Sequence, residues 1–211
     1  MITIDIISDH VCPWCYVGKR RLESALEQRP DIETKIRWRP FQLNPDIPRE
    51  GKDRLEHMQS IFGEERAQMI LDKLPEFGAQ EGLAFAFKEG SRAPNTLAAH
   101  TLMHWAGEID ESTQHQLQEL LFQANFVDCK DIGDLTTLAD FAAEVGMNRE
   151  SVLEKLKAQA DEELVIEEIR DSQEKGVAGV PCFIFNKQHA IEGAQSVEHF
   201  ISVLDQLSGA A

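Results

Sequence analysis

Apolar positions along the chain follow two periods, and the changes between them divide it into three stretches. The first stretch opens on Ile2-Thr3-Ile4-Asp5-Ile6-Ile7, which predicts a strand with Ile4 and Ile6 on one face and a pattern suited to cover on both sides. Residues 13–28 predict a helix. Its inward set is Val17, Leu22, Ala25 and Leu26, its outward set Lys19, Arg20, Arg21, Glu23 and Glu27, and Arg29-Pro30-Asp31 breaks it. From Glu33 to Phe41, Ile36, Trp38 and Pro40 alternate with Lys35, Arg37 and Arg39, the signature of a second strand. The cationic row is expected to be a solvated face rather than a binding stripe.

The middle stretch, from about Arg49 to Lys175, is helical in period. Ala67, Ile70, Leu71 and Leu74 recur at i, i+3, i+4 and i+7, as do Leu117, Leu120, Leu121 and Ala124. Leu135, Leu138, Ala139 and Ala142 do so again, started by Asp134 and stopped near Gly146. Further helices are expected at 95–107, capped by Asn95 or Thr96, at 149–160 and at 161–175, whose acidic run reads as a solvated face. Strands return at Gly179–Asn186, with Pro181 near the start where proline is tolerated, and at His189–Ile191 after a turn. A last helix is capped by Ser196, with Val197, Phe200, Ile201 and Leu204 inward. The order predicts an α/β fold in which a helical subdomain, 49–175, is inserted between 1–48 and 176–211.

Composition narrows the function. In 211 residues, 42% hydrophobic content supports a real core, and 37 acidic against 21 basic residues give a formal charge of −16. That balance argues against nucleic acid and against anionic membrane surfaces. No apolar run approaches a membrane span, and Met1 leads directly into the first strand, so a cytoplasmic location is the default expectation. Four cysteines in a chain of this size do not make a disulfide scaffold.

Two of those cysteines, Cys12 and Cys15, stand three positions apart at the junction between the first strand and the first helix. At a helix N-terminus, unpaired N–H groups and the dipole favour a thiolate on Cys12, while Cys15 lies one turn on, within reach of a disulfide. Pro13 suits the first helical position, and with Trp14 it sets the geometry around Cys12. A zinc site would ask for a second close pair, yet only the separated Cys129 and Cys182 remain, so no metal is expected. His10 lies two residues before Cys12. It would assist the thiolate if charged and near, and it reads equally as a solvent-facing loop residue. His100 and His104 share a helix face at i, i+4 but lack a third ligand candidate, so packing or pocket roles are expected.

Taken together, several stretches resemble a known family. They are Asp9-His10-Val11-Cys12-Pro13-Trp14-Cys15-Tyr16 with Gly18-Lys19, Pro40-Phe41-Gln42-Leu43-Asn44-Pro45, Asn95-Thr96 with Ala99-His100, and Gly176-Val177-Ala178-Gly179-Val180-Pro181 with Phe183-Ile184-Phe185-Asn186. In this order they resemble the DsbA-like thioredoxin-superfamily oxidoreductases of the FrnE type. These are related to the 2-hydroxychromene-2-carboxylate isomerases and the kappa-class glutathione transferases. The resemblance implies a thioredoxin fold with a helical insertion, and a cis bond at Val180-Pro181 that turns the Val180 backbone toward the thiols. It also implies a position for Asn95 near the active-site cleft, although helix capping explains that residue without function. Two residues depart from the pattern. Pro13-Trp14 replaces the Gly-Pro of thioredoxins proper, and Cys182 follows the loop proline, where strand alternation turns it away from the face of Pro181.

The expected activity is thiol–disulfide exchange through Cys12 and Cys15, with disulfide- or dithiol-containing proteins or small-molecule thiols as partners. No cofactor is required, glutathione is a candidate redox partner or substrate, and a second copy of the chain is a candidate partner. A glutathione-dependent isomerase or transferase of the kappa type is a rival reading, disfavoured because the resemblance places serine where Cys12 stands. A non-catalytic, chaperone-like binding protein is the second rival.

Overall fold

The computed structural model describes residues 1–209. Strand β1 (Ile2–Ser8) leads through α1 (Pro13–Glu27) into β2 (Thr34–Pro40), which lies parallel to β1 with Ile4 opposite Ile36 and Ile6 opposite Trp38. A right-twisted strand, a helix and a parallel strand make a crossover unit. Two residues, β3 (Lys52–Asp53), then open α2 (Arg54–Phe62), which is followed by α3 (Glu64–Gln80). Strand β4 (Arg92–Ala93) pairs antiparallel with β3 and precedes α4 (Leu97–Ile109) and α5 (Glu111–Gln123). A π-helical turn, Ala124–Asp128, continues α5, followed by α6 (Leu135–Glu144), α7 (Arg149–Lys157) and α8 (Glu162–Glu174). The hairpin β5 (Cys182–Phe185) and β6 (His189–Glu192) and the helix α9 (Val197–Ser208) complete the fold. β5 runs antiparallel to β1, so the main sheet has the order β2-β1-β5-β6.

One hydrophobic cluster joins both parts of the chain, from Ile4, Ile6, Trp38, Phe183 and Phe185 on the sheet to Leu102, Leu121, Phe122 and Leu138 on the helices. Phe183 meets Phe200 of α9 edge-on at 4.8 Å. On the other side of α1, Tyr16 stacks on Phe122 of α5 at 4.8 Å. Gly18 allows α1 to approach the sheet, because a Cβ there would stand 2.9 Å from the Phe183 ring and 3.3 Å from Pro181. Local caps agree with the sequence: Asp134 accepts from Thr137 N–H, Ser196 from His199 N–H, and Asn95 Oδ1 from Leu97 N–H.

Several expectations need correction. The second sheet face holds a small buried patch of Ile7, Phe41 and Cys182, with Val177, Val180 and Ile184 packed against it and Thr3 and Asp5 half-buried. Lys19, expected outward, is 3% exposed, because its ammonium reaches Glu23 and Glu119, each at 2.6 Å. Arg20 also pairs with Glu119, and Tyr16 Oη donates to it at 2.7 Å, which fastens α1 to α5. The cationic row of β2 is not simply solvated. Lys35 pairs with Glu111 at 2.5 Å, and Arg39 with Asp5 at 3.3 Å and Glu168 at 3.6 Å. Nor is the acidic segment of α8 uniformly solvated, since Glu162 is buried against Arg49. Charged side chains here bridge elements that hydrophobic periodicity treats as separate.

Candidate active site

The site forms where β1 ends and α1 begins. Cys12 takes an extended conformation as the N-cap, Pro13 follows in the first turn, and no acidic side chain lies in that turn to oppose a thiolate. Cys15 N–H donates to Cys12 C=O at 3.1 Å, and Cys12 N–H to Asp9 C=O at 3.1 Å, so the turn and the strand end are tied together. Both sulfurs are free thiols, Cys12 3% and Cys15 1% exposed. Burial pushes the Cys15 thiol well above its ordinary range, with the adjoining Cys12 adding to the rise. The Ser8 side chain and the Asp9 backbone facing its sulfur partly oppose it. Trp14 is 45% exposed and meets Phe77 of α3 edge-on at 4.5 Å.

The loop before β5 closes the site from a distant part of the chain. Val180-Pro181 is a cis peptide, and the Cys12 thiol donates to Val180 C=O at 3.6 Å. Cys182, one residue on, lies with Ile7 and Phe41 on the face opposite Phe183, away from the pair. Cys129 is left-handed (φ 57°), in the connection between the π-helical turn and α6, and its thiol donates to Ala86 C=O at 3.2 Å.

His10 is not a solvent-facing residue. It is buried, its ring 4.2 Å from that of His100, with Gln118 Nε2 hydrogen-bonded to its Nδ1 at 3.1 Å. Burial, with the neighbouring His100 adding, holds its pKa well below the ordinary value, so it is neutral near pH 7 and brings no charge to Cys12. Asn95 ties the loop after β2 to α4: its amide donates to Ile47 C=O at 2.6 Å and accepts from Gln42 at 3.2 Å.

Sequence reasoning passed over Ser8, Asp9 and Gln118, which join His10 and His100 behind the thiols. Asp9 Oδ2 accepts from Leu43 N–H at 2.8 Å, while Oδ1 faces His100 Nε2 at 3.4 Å. Asn125 donates to His10 C=O at 3.2 Å and accepts from the buried Arg54 at 2.5 Å. The signal was present: an Asp-His pair directly follows the first strand, and His100 sits among Ala98, Ala99 and Leu102. Among the described residues, no cluster of His, Cys, Asp and Glu is arranged to hold a metal ion, and no helix is long and apolar enough to cross a membrane.

This arrangement has relatives. Residues 3–205 match the model of the DSBA-like thioredoxin domain. YwbO, an uncharacterized protein of Bacillus subtilis, is 28% identical over 200 residues, covering 94% of each chain. A probable DsbA oxidoreductase of Streptomyces coelicolor superposes with a TM-score of 0.87 at 30% identity, covering 100% of this chain and 92% of that one. The cytosolic disulfide reductase DsbM of Pseudomonas aeruginosa, solved with glutathione, shares the fold with a TM-score of 0.62. It is 16% identical, with 98% and 99% of the two chains covered.

Proposed function

We propose, from the premise that this chain belongs to the family of DSBA-like thioredoxin domains, that it is a thiol–disulfide oxidoreductase whose redox pair is Cys12 and Cys15. The observation that carries this reading is the contact between the Cys12 thiol and the Val180 carbonyl, 3.6 Å apart. It sets the sulfur of the N-cap residue against a backbone segment that can pair with an extended substrate.

Cys12, as thiolate, attacks a substrate disulfide and forms a bond to one of its sulfurs while the other leaves as thiolate. Cys15 then loses its proton, attacks Cys12 and releases the second substrate sulfur, leaving the Cys12–Cys15 disulfide. In the opposite direction the oxidised pair accepts two electrons from a substrate dithiol. Pro13 and Trp14 shape the turn that sets Cys12 at the N-terminus of α1. Val180 and Pro181 would hold the substrate backbone. Glutathione, which the DsbM structure contains, is the small thiol we place first as redox partner, in a reducing compartment.

Cys12→Ser is expected to abolish reduction of insulin by dithiothreitol above the uncatalysed rate. Cys15→Ser is expected to accumulate a mixed disulfide on Cys12, seen by intact mass. Undiminished insulin reduction by Cys12→Ser would refute the proposal.

A further inference from the structure

Between β2 and the helices α4, α5 and α8 lies a cavity of about 240 Å³ that neither Cys12 nor Cys15 lines. Its closed end is polar. Ser8, His10 and His100 line it there, each at most 3% exposed, and Ser8 Oγ, His10 Nε2 and His100 Nε2 have no hydrogen-bond partner among the described residues. Buried polar atoms without partners are costly, and three that share one cavity call for water or a guest. At the open end stand Arg37 and Arg39, two positions apart on one face of β2 and each at least 40% exposed. Among the described residues, the carboxylate nearest Arg37 is that of Glu111, 3.8 Å away and already held by Lys35 at 2.5 Å. Arg39 donates from Nε to Asp5 at 3.3 Å, while its Nη1 stays 3.6 Å from Glu168. Acidic residues outnumber basic ones 37 to 21, yet neither guanidinium has its fork closed on a carboxylate. Water alone would satisfy the closed end. The open forks at the rim add a preference for a pair of anionic oxygens, which a guanidinium binds bidentately.

We propose that this cavity is a binding site for a small oxo or hydroxy monocarboxylic acid, its carboxylate held by Arg37 and Arg39 and its neutral oxygen by Ser8, His10 and His100. The closed end suits an uncharged acceptor. Gln118 donates to His10 Nδ1 at 3.1 Å, so Nε2 carries the ring hydrogen, and the Ser8 hydroxyl supplies a second donor. A second carboxylate is disfavoured there, because Asp9 Oδ1 lies 3.4 Å from His100 Nε2 and has no other partner among the described residues. Acidic side chains at the rim leave room for the carboxylate: Glu111 is held by Lys35, Glu168 stands 3.3 Å from His104 Nδ1, and Glu108 is 67% exposed. Trp38 and Met103 line the space as well and offer an apolar wall to the carbon chain. A cavity of about 150 Å³ takes up benzene, so this one has room for roughly ten non-hydrogen atoms. The acid is bound and not transformed. Neither thiol takes part, so the site stands whether or not the Cys12–Cys15 pair cycles.

Calorimetric titration with 4-oxopentanoate and 5-oxohexanoate tests the site. At least one of them is expected to bind with a Kd of about 1 mM or tighter. Pentanoate, which lacks the oxo group, and pentan-2-one, which lacks the carboxylate, are each expected to bind at least about tenfold more weakly. A site built to hydrogen-bond a group is left with unpaired polar atoms by the analogue without it. Arg37→Gln and Ser8→Ala are expected to weaken the oxo acid by about tenfold each, and Cys12→Ser to leave its Kd within about twofold. No heat and no rise in unfolding temperature with either oxo acid at about 10 mM overturns the proposal and leaves a cavity that holds water only. Pentanoate binding as tightly as the oxo acids overturns it too, as do affinities unchanged in both Arg37→Gln and Ser8→Ala. Loss of binding in Cys12→Ser would place the acid at the thiols and end the proposal.

Discussion

Glu23 shows how single side chains hold this molecule together. Its carboxylate accepts from Lys19 at 2.6 Å and faces His115 Nε2 at 2.9 Å, beside Arg20 at 3.3 Å. Burial pushes its pKa up, but the His115 hydrogen bond and the Lys19 charge outweigh that and bring it from 4.5 down to about 2. A carboxyl depressed on folding stabilises the folded state fully above its unfolded value and loses that contribution as pH falls toward its folded value. Glu23→Gln is therefore expected to destabilise the protein at pH 7, and the difference from the unmodified protein should shrink between pH 4.5 and about 2. Urea unfolding at stepped pH measures it. A difference independent of pH across that window would show that the network's contribution is not that of an ionised Glu23.

At the scale of elements, the helices differ in how firmly they are held. α4 buries most of its length, including Ala99, Leu102 and Ala106, whereas α3 buries only Ala67 and Gly78. Together α2 and α3 leave Leu55, Ile61, Phe62 and Met69 exposed. Amides of 54–80 are expected to exchange hydrogen at least about tenfold faster than those of 97–123, as measured by mass spectrometry. Equal protection would contradict this division. The contrast also accounts for what the sequence could and could not announce. The alternation in Ile2–Ile7, the Asp134 and Ser196 caps and the Cys-Pro-Trp-Cys turn are set by neighbours a few residues apart, and each is legible. The two-residue ladder of β3 and β4 is not legible, because its register depends on chain about 40 residues away, Lys52 facing Ala93. Nor is the burial of Lys19, His10 and Glu162, whose partners Glu119, His100 and Arg49 lie on other elements. Periodicity reports which way a residue faces on its own helix, not which charge from elsewhere will meet it.

For the molecule as a whole, a formal charge of −16 acts on every encounter. Long-range repulsion slows anionic disulfides and steers cationic ones inward, and salt removes both effects. If the proposed function holds, raising ionic strength from about 10 mM to about 150 mM should speed oxidation of the reduced pair by glutathione disulfide. The same change should slow oxidation by cystamine, each by about two- to fivefold. Stopped-flow tryptophan fluorescence would follow the rates, and identical salt responses for the two disulfides would show that the charge does not reach the site. The meeting of Cys12 with Val180 spans 168 residues of chain. A ribosome adding about 5–20 residues each second needs roughly 8–34 s to make that span. Throughout that interval the two thiols are already synthesised while the backbone that will cover them is not. Each newborn copy therefore passes through a period in which Cys12 and Cys15 are open to stray oxidants and to other nascent chains.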